Sequence, residues 1–130
     1  QLQRAVFEGL AFAIVDALQG YPQGGELYLT GGGAASATWL QIIADCTGRT
    51  VVSSAFNELS ARGAAILAAR SVAALAETPP LAQTRYQPRP QAHARYAALY
   101  PVYRLLREQM LPVWQARQAA LQPLSQDLQP

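Results

Sequence analysis

Three consecutive glycines stand between a short strand-forming stretch and an apolar helical pattern, and this order constrains the fold more than any other feature of the sequence. Residues 26–30, with the sequence ELYLT, predict a strand, and helical spacing starts after Ser36. Because Gly31, Gly32 and Gly33 carry no β-carbon, a ligand can approach the backbone, and the next helix offers unpaired N–H groups to an anion. The order predicts a phosphate-binding turn, although glycine turns without a ligand follow the same pattern.

Apolar periodicity predicts the other elements. Helices are predicted over 2–18, between Ser36 and Gly48, over 58–76 and over 94–121, and a second strand is predicted over 50–54. Ser36 is predicted to cap the second helix, and Gly48 is predicted to end it in the left-handed conformation. Two strands covered by four or five helices do not make a self-sufficient sheet. The missing strands are therefore expected from another part of a longer protein or from an obligate partner.

Side-chain spacing also predicts the apolar faces of the helices. The apolar face of the first helix consists of Leu2, Val6, Leu10, Ala13, Ile14 and Ala17. Gly9 interrupts this helix, which is easier to explain if another backbone packs closely against it. The alanine-rich helix over 58–76 is expected to be tightly packed. The apolar stripe of the last helix consists of Leu99, Val102, Leu106, Met110 and Val113.

Prolines punctuate the C-terminal part of the chain. Four of them, Pro79, Pro80, Pro88 and Pro90, lie close together. They favour extended backbone, so residues 78–93 are predicted to form a surface connector without regular structure. Pro101 and Pro112 are expected to kink or divide the last helix. The chain is thus predicted to contain a domain over 1–77, the connector, and a helical extension over 94–130 that packs on the domain.

Composition excludes several kinds of function. All ten basic residues are arginine, so no lysine of this chain can bind phosphate in a Walker A loop or form a Schiff base. A net charge of +2 without a basic run gives no footprint for nucleic acid. No apolar run approaches the roughly 20 residues that span a bilayer, so a cytoplasmic protein without membrane contact is expected. The single cysteine, Cys46, excludes an internal disulfide and is interpreted as a small buried hydrophobe.

Other polar residues receive structural interpretations. The acidic residues on predicted helices are taken to be solvated, capping or paired; they are Glu8, Asp16, Asp45 and Glu58. His93, the only histidine, is interpreted as a surface or capping residue. The helical spacing of Tyr96, Tyr100 and Tyr103 predicts that they pack the last helix against the domain.

The segment 29–45, LTGGGAASATWLQIIAD, resembles the adenosine motif of the FGGY carbohydrate kinases, the family that includes xylulokinase and glycerol kinase. The flanks are similar as well. Residues 4–12, RAVFEGLAF, resemble the helix before that motif, while 48–51 and 63–65 resemble the following strand and the last, glycine-bearing helix. The resemblance covers about residues 4–110, and several motifs in the family's order are more specific than any one of them.

The resemblance implies an α/β fold built from two ribonuclease-H-like domains of the actin, hexokinase and sugar-kinase superfamily, with ATP on the second domain and the sugar in the cleft between them. Residues 1–77 would be the C-terminal part of the ATP-binding domain. By the same resemblance, the ATP-binding residues would be Gly31, Gly32, Gly33 and Ala34 at the adenosine and α-phosphate, with Ser36 and Gln41 near the base or ribose.

The resemblance also implies what this chain lacks. The catalytic base, the Mg²⁺ ligands and the loops for the β- and γ-phosphates would lie upstream of Gln1, in a missing N-terminal domain. The glycerol-kinase branch places an asparagine beside the adenine, whereas Ala37 and Thr38 stand in that area here, as in the pentulose-kinase branch, so no side-chain hydrogen bond to the base is expected from them. The expected substrate is a small sugar or polyol, with a pentulose such as xylulose favoured. A homodimer is a further possibility. The alternative function is a non-catalytic structural or interaction module derived from such a kinase.

Overall fold

The computed structural model describes residues 2–22, 24–54, 58–72 and 80–126, with side chains as far as residue 121. The elements run in the order α1 (Leu2–Ala17), β1 (Leu27–Leu29), α2 (Ala37–Thr47), β2 (Val51–Ser54), α3 (Leu59–Ser71), β3 (Gln83–Tyr86) and α4 (Pro90–Gln126). Short 3₁₀ turns follow α1, at Leu18–Gly20, and precede α2, at Gly32–Ala35. The α/β class predicted from the sequence is confirmed.

The described strands form one mixed sheet in the order β1-β2-β3. β1 and β2 are parallel, with Leu27 opposite Val51, and α2 is the helix that connects them. β3 runs antiparallel to β2, with Tyr86 opposite Val51. The two predicted strands are confirmed, each slightly shorter than expected, and the third strand was missed.

The core lies where α1 and α2 pack together and against β2. Its buried apolar side chains are Ala11, Phe12, Leu40, Ile42, Ile43, Ala44, Cys46, Val51, Val52 and Tyr96. Both predicted ends of α2 are confirmed. Ser36 Oγ accepts a hydrogen bond from Trp39 N at 3.3 Å, and Gly48 ends the helix at φ +68° with its N–H donated to Ala44 O at 2.9 Å.

The apolar stripe predicted for α1 is exposed within the described structure. Leu2 is 83% exposed, and Val6 and Leu10 are also exposed, whereas Ala11 and Phe12 are buried. Apolar residues lie on two faces of α1, and the face that packs in the described structure is not the one that carries the regular stripe. The close packing expected at Gly9 is wrong for the described residues, because a β-carbon there would meet no atom within 4 Å.

The tight packing predicted for the helix over 58–76 was wrong as well. α3 covers Leu59–Ser71, and none of its residues is buried in the described structure; Leu67 is 70% exposed. Its alanines favour a helix by intrinsic propensity, which does not require packing. The end predicted for this helix, residues 73–76, lies outside the described residues.

The prediction of an irregular connector over 78–93 was wrong in two places. Gln83–Tyr86 form β3, and Pro90 is the first residue of α4. Proline fits the first position of a helix because that residue's N–H has no partner inside the helix. α4 also continues past Pro101 and Pro112, so neither proline divides it. Pro79 lies outside the described residues.

The chain divides into two compact units, residues 1–96 and 97–130. In the second unit, Tyr100 and Tyr103 stack with their ring centroids 6.3 Å apart. This unit also exposes large apolar side chains, among them Leu99, Val102, Leu106, Val113 and Trp114. The packing of this extension on the domain stays a prediction. No helix within the described ranges is long and apolar enough to cross a membrane.

Candidate functional site

The glycine turn joins the end of β1 to the start of α2. Gly31 adopts φ +85° and ψ −171°, a conformation that residues with a β-carbon rarely take. Gly32 and Gly33 are exposed, and a β-carbon on Gly31 or Gly32 would meet no atom within 4 Å. The first N–H groups of the 3₁₀ turn have no acceptor inside the turn. The turn thus presents open backbone donors to solvent.

Neighbouring residues hold the turn in this shape. Ala34 N donates to Gly31 O at 2.9 Å, and Ser36 N donates to Gly33 O at 3.4 Å. The Trp39 ring lies 5.2 Å from the ring of Phe7, centroid to centroid, and approaches Gly33. Because the Ser36 hydroxyl caps α2, the capping interpretation made from the sequence is confirmed.

Gln41 lies one helical turn further along α2 and is half-buried. Its Nε2 donates to Asp45 Oδ1 at 3.0 Å and to Gln87 O at 2.9 Å. Both amide hydrogens are therefore engaged, and the side-chain carbonyl oxygen is the polar atom left for another molecule. The structure places the predicted residues from Gly31 to Ser36 in one turn and places Gln41 in a separate network around Asp45.

That network centres on Asp45, whose side chain is fully buried. Its carboxylate accepts hydrogen bonds from Arg89 N at 2.8 Å and from Arg89 Nε at 3.0 Å, and it forms an ion pair with Nη2. Burial by itself raises the pKa of this carboxyl, but the hydrogen bonds from Arg89 and Gln41 outweigh it and hold the pKa below its usual value. Asp45 is thus a paired residue, as interpreted from the sequence.

Arg89 was missed as the partner. The position of Asp45 among the apolar residues of α2 could have indicated that it has such a partner. A buried carboxylate needs a cation or several hydrogen-bond donors.

A second polar cluster joins α1 to the start of α4. Glu8 Oε1 accepts hydrogen bonds from Arg4 Nε at 2.9 Å and from Tyr96 Oη at 2.8 Å. The hydrogen bond from Arg4 is the main reason that the pKa of Glu8 is lowered. Tyr96 also packs edge-on against Phe12, with ring centroids 6.0 Å apart. Tyr96 therefore packs on the domain, as predicted.

The surroundings of His93 and Cys46 indicate structural roles for both residues. His93 Nδ1 lies 2.9 Å from Asp45 O, so it donates to a carbonyl in the last turn of α2, in agreement with the capping interpretation. Burial raises the pKa of the Cys46 thiol to about 12. Among the described residues no group of three or more His, Cys, Asp or Glu side chains is arranged to hold a metal ion.

Comparison with known proteins assigns this architecture. The C-terminal domain of the FGGY family of carbohydrate kinases matches residues 1–72. The chain belongs to this family. The FGGY domain therefore includes the glycine turn and α1–α3, and the resemblance seen in the sequence is confirmed. Members of this family are carbohydrate kinases, which use ATP as the phosphate donor.

Individual relatives agree with this assignment. A probable L-xylulose kinase of Pasteurella multocida (strain Pm70) is 32% identical over 110 residues, which is 81% of this chain and 23% of that protein. The crystal structure of ligand-bound xylulose kinase from Lactobacillus acidophilus is similar with a TM-score of 0.73 and 23% identity, over 84% of this chain and 24% of the other. A gluconate kinase from the same organism has a TM-score of 0.72 with the same identity and coverage. This FGGY chain spans about a quarter of the length of the relatives it matches.

Proposed function

We propose that this chain is the ATP-binding part of a kinase that transfers the γ-phosphate of ATP to a hydroxyl of a small sugar or polyol, with a pentulose such as xylulose favoured. The observation that carries the proposal is the glycine turn at the start of α2. Its positive φ at Gly31 and the open space before Gly31 and Gly32 suit close approach of a nucleotide to the backbone. The cytoplasmic location stays a prediction.

The residues of the turn fit one part of ATP. Gly31, Gly32, Gly33 and Ala34 would hold the adenosine and the α-phosphate through backbone atoms. Ser36 has its hydroxyl engaged in capping α2, so its contribution would be to fix the turn. Gln41 retains its carbonyl oxygen as an acceptor for a group near the base or ribose.

The chemical step needs groups beyond those in the described residues. Phosphoryl transfer requires a residue that orients or deprotonates the acceptor hydroxyl, together with metal ions that bridge the phosphates. The described acidic residues form no cluster suited to Mg²⁺. We place the Mg²⁺ ligands, the catalytic base and the β- and γ-phosphate loops in the rest of the polypeptide, so this chain alone is inactive.

Two exposed surfaces support the proposal that this chain is part of a longer polypeptide. Within the described sheet β1 pairs on one side, with β2, and its other edge is open to a further strand. The apolar stripe of α1, formed by Leu2, Val6 and Leu10, is exposed. Because the chain spans about a quarter of its relatives' length, we assign both surfaces to the remainder of the same polypeptide, which would complete the ribonuclease-H-like sheet.

The proposed nucleotide site is tested by titrating ATP into the full-length protein and into a Gly32→Asp variant. The new carboxylate brings a side chain and a negative charge to the proposed phosphate approach, so affinity is expected to fall at least about tenfold. Gly20→Asp is the matched control, since it makes the same change at a glycine whose β-carbon would also meet no atom within 4 Å. Equal ATP affinity in wild type and Gly32→Asp would remove the turn from the site.

The substrate is tested by a separate screen. The full-length protein is assayed for ADP release with xylulose, other ketopentoses, ketohexoses, gluconate and glycerol. We expect the highest kcat/KM with a pentulose, in line with the 32% identical relative. Residues 1–130 assayed alone should release no ADP in response to sugar, and measurable turnover by this piece would contradict the proposed division of labour.

A further inference from the structure

The apolar stripe of α4 faces solvent along the middle of this helix. Its members follow one another at intervals of three, four, four and three residues, which keeps them on one helix face; they are Leu99, Val102, Leu106, Met110 and Val113. Four of them are between 52% and 61% exposed, and Met110 is half-buried. The stripe is therefore an uncovered apolar surface within the described part of the chain.

α4 needs a covered face to remain a helix. It continues through Pro101 and Pro112, and each proline removes a backbone hydrogen bond and crowds the preceding turn. By helical spacing both prolines lie on the face opposite the stripe. Most of the stability of a helix in a protein comes from packing of its apolar face rather than from propensity. A partner on the stripe would therefore replace the stability that the prolines remove.

The spacing of the stripe is the same in both directions from Leu106. In an antiparallel pair of helices with a twofold axis at Leu106, Leu99 lies across from Val113 of the second copy. Val102 then lies across from Met110 of the second copy, and the two copies of Leu106 face each other. A twofold interface has to be self-complementary. This spacing meets that condition, because each apolar side chain of the stripe has an apolar side chain opposite it.

Polar residues limit the other ways of pairing this helix. A heptad seam continued from Leu99, Val102 and Leu106 would include Gln109, which does not suit a regular parallel coiled coil. The stripe also ends at an arginine on both sides, since Arg95 and Arg117 lie four residues beyond its first and last members. In the antiparallel pair these arginines approach each other at the rim, where salt screens their repulsion.

We propose that the stripe is the interface of an antiparallel homodimer formed by α4 of two copies of this protein. This interface lies outside residues 1–72, which match the family domain. The proposal therefore does not depend on ATP binding at the glycine turn. Packing of the extension on its own domain would cover the stripe within one molecule instead, and would leave the protein monomeric.

The first test is light scattering of the full-length protein over a range of micromolar concentrations, where we expect a dimer. Leu106→Glu places two carboxylates against each other at the twofold axis and should weaken dimerisation at least about a hundredfold. Leu111→Glu is the matched control, because Leu111 is 58% exposed, against 61% for Leu106, but lies off the stripe. A monomeric wild type, a dimer that survives Leu106→Glu, or an equal loss in both variants would overturn the proposal.

Disulfide cross-linking tests the orientation of the two helices. Leu99→Cys and Val113→Cys variants of the full-length protein are mixed and oxidised, with wild type as the control for native thiols. Antiparallel pairing brings the two different thiols together, so the mixture should cross-link. Each variant alone should not, because its two thiols lie about 21 Å apart along the helix axis. Cross-linking of Leu99→Cys with itself, or association that weakens as salt is raised, would contradict the proposed interface.

Discussion

The buried carboxylate of Asp45 accepts hydrogen bonds from both the backbone and the guanidinium of Arg89, a residue 44 positions further along the chain. This contact fixes the segment between β3 and α4 on the side of α2. It also connects the interior of the domain to its surface, since the side chain of Arg89 is 62% exposed while that of Asp45 is fully buried.

Asp45→Asn is expected to destabilise the domain because it removes the charge that holds four N–H donors, three of Arg89 and one of Gln41, around the two buried carboxylate oxygens. We expect the melting temperature to fall by roughly 5 °C or more, as measured by circular dichroism. Glu26→Gln is the control, because Glu26 forms an exposed ion pair with Arg85. Such pairs contribute little to stability, so an equal loss in both variants would contradict the role assigned to burial.

Acid should remove the contribution of Asp45. Its pKa is lower in the folded state than its usual value near 3.8, so the ionised form stabilises the folded state at higher pH. That contribution is fully present above the unfolded pKa and is lost as pH falls through the folded pKa. Urea unfolding at pH 7 and at a series of pH values below about 4 should show the stability difference between wild type and Asp45→Asn shrinking. A constant difference would mean that the carboxylate charge is not the cause.

Gly31→Ala should impair the glycine turn. A residue with a β-carbon at φ +85° and ψ −171° costs about 1–3 kcal/mol of conformational strain. The backbone of the turn can relieve this strain by adopting another conformation. We expect both a lower free energy of unfolding and weaker ATP binding. Gly32→Ala keeps the same added methyl group at a neighbouring residue without positive φ and should change stability less. The comparison of the two unfolding curves separates backbone strain from side-chain bulk.

Gly48→Ala should destabilise the end of α2 for two reasons. Gly48 has φ +68°, and an added β-carbon would lie 2.6 Å from Cε1 of the His93 ring. The left-handed conformation alone costs about 1–2 kcal/mol for a residue with a β-carbon. Gly63→Ala, within α3 and with no atom near the new methyl group, should instead stabilise the chain by about 0.5–1 kcal/mol. Denaturant unfolding of the two variants should therefore move in opposite directions.

Cys46 should be unreactive in the folded protein. Its thiol is buried and has a pKa near 12, so almost none of it is the reactive thiolate at pH 8. Labelling with a thiol reagent should be slow in native buffer and fast in denaturant. Rapid labelling of the native protein would show that the interface between α1 and α2 opens readily.

Local signals predicted much of the first half of the chain. The glycine turn, the Ser36 cap and the left-handed Gly48 depend on a few neighbouring residues, and all three were predicted. Ile42, Ile43 and Cys46 fall on one face of α2 by helical spacing, and all three are buried.

Pairings distant in sequence could not be predicted in the same way. β3 has three exposed residues and no apolar alternation, so it is a strand because its backbone pairs with β2. Arg89 was hidden for the same reason, since the partner of Asp45 could be any of ten arginines. The regular stripe of α1, Leu2, Val6 and Leu10, is exposed within the described structure, so helical spacing alone did not show which residues of α1 lie in the core.

The sheet order has a practical consequence for handling this chain. β3 covers one side of β2, while the outer edge of β1 has backbone groups without partners in the described sheet. Open strand edges act as templates for pairing with other chains. When this piece is produced alone at high concentration, intermolecular aggregation through β1 will therefore compete with correct assembly, and dilute conditions will favour monomers.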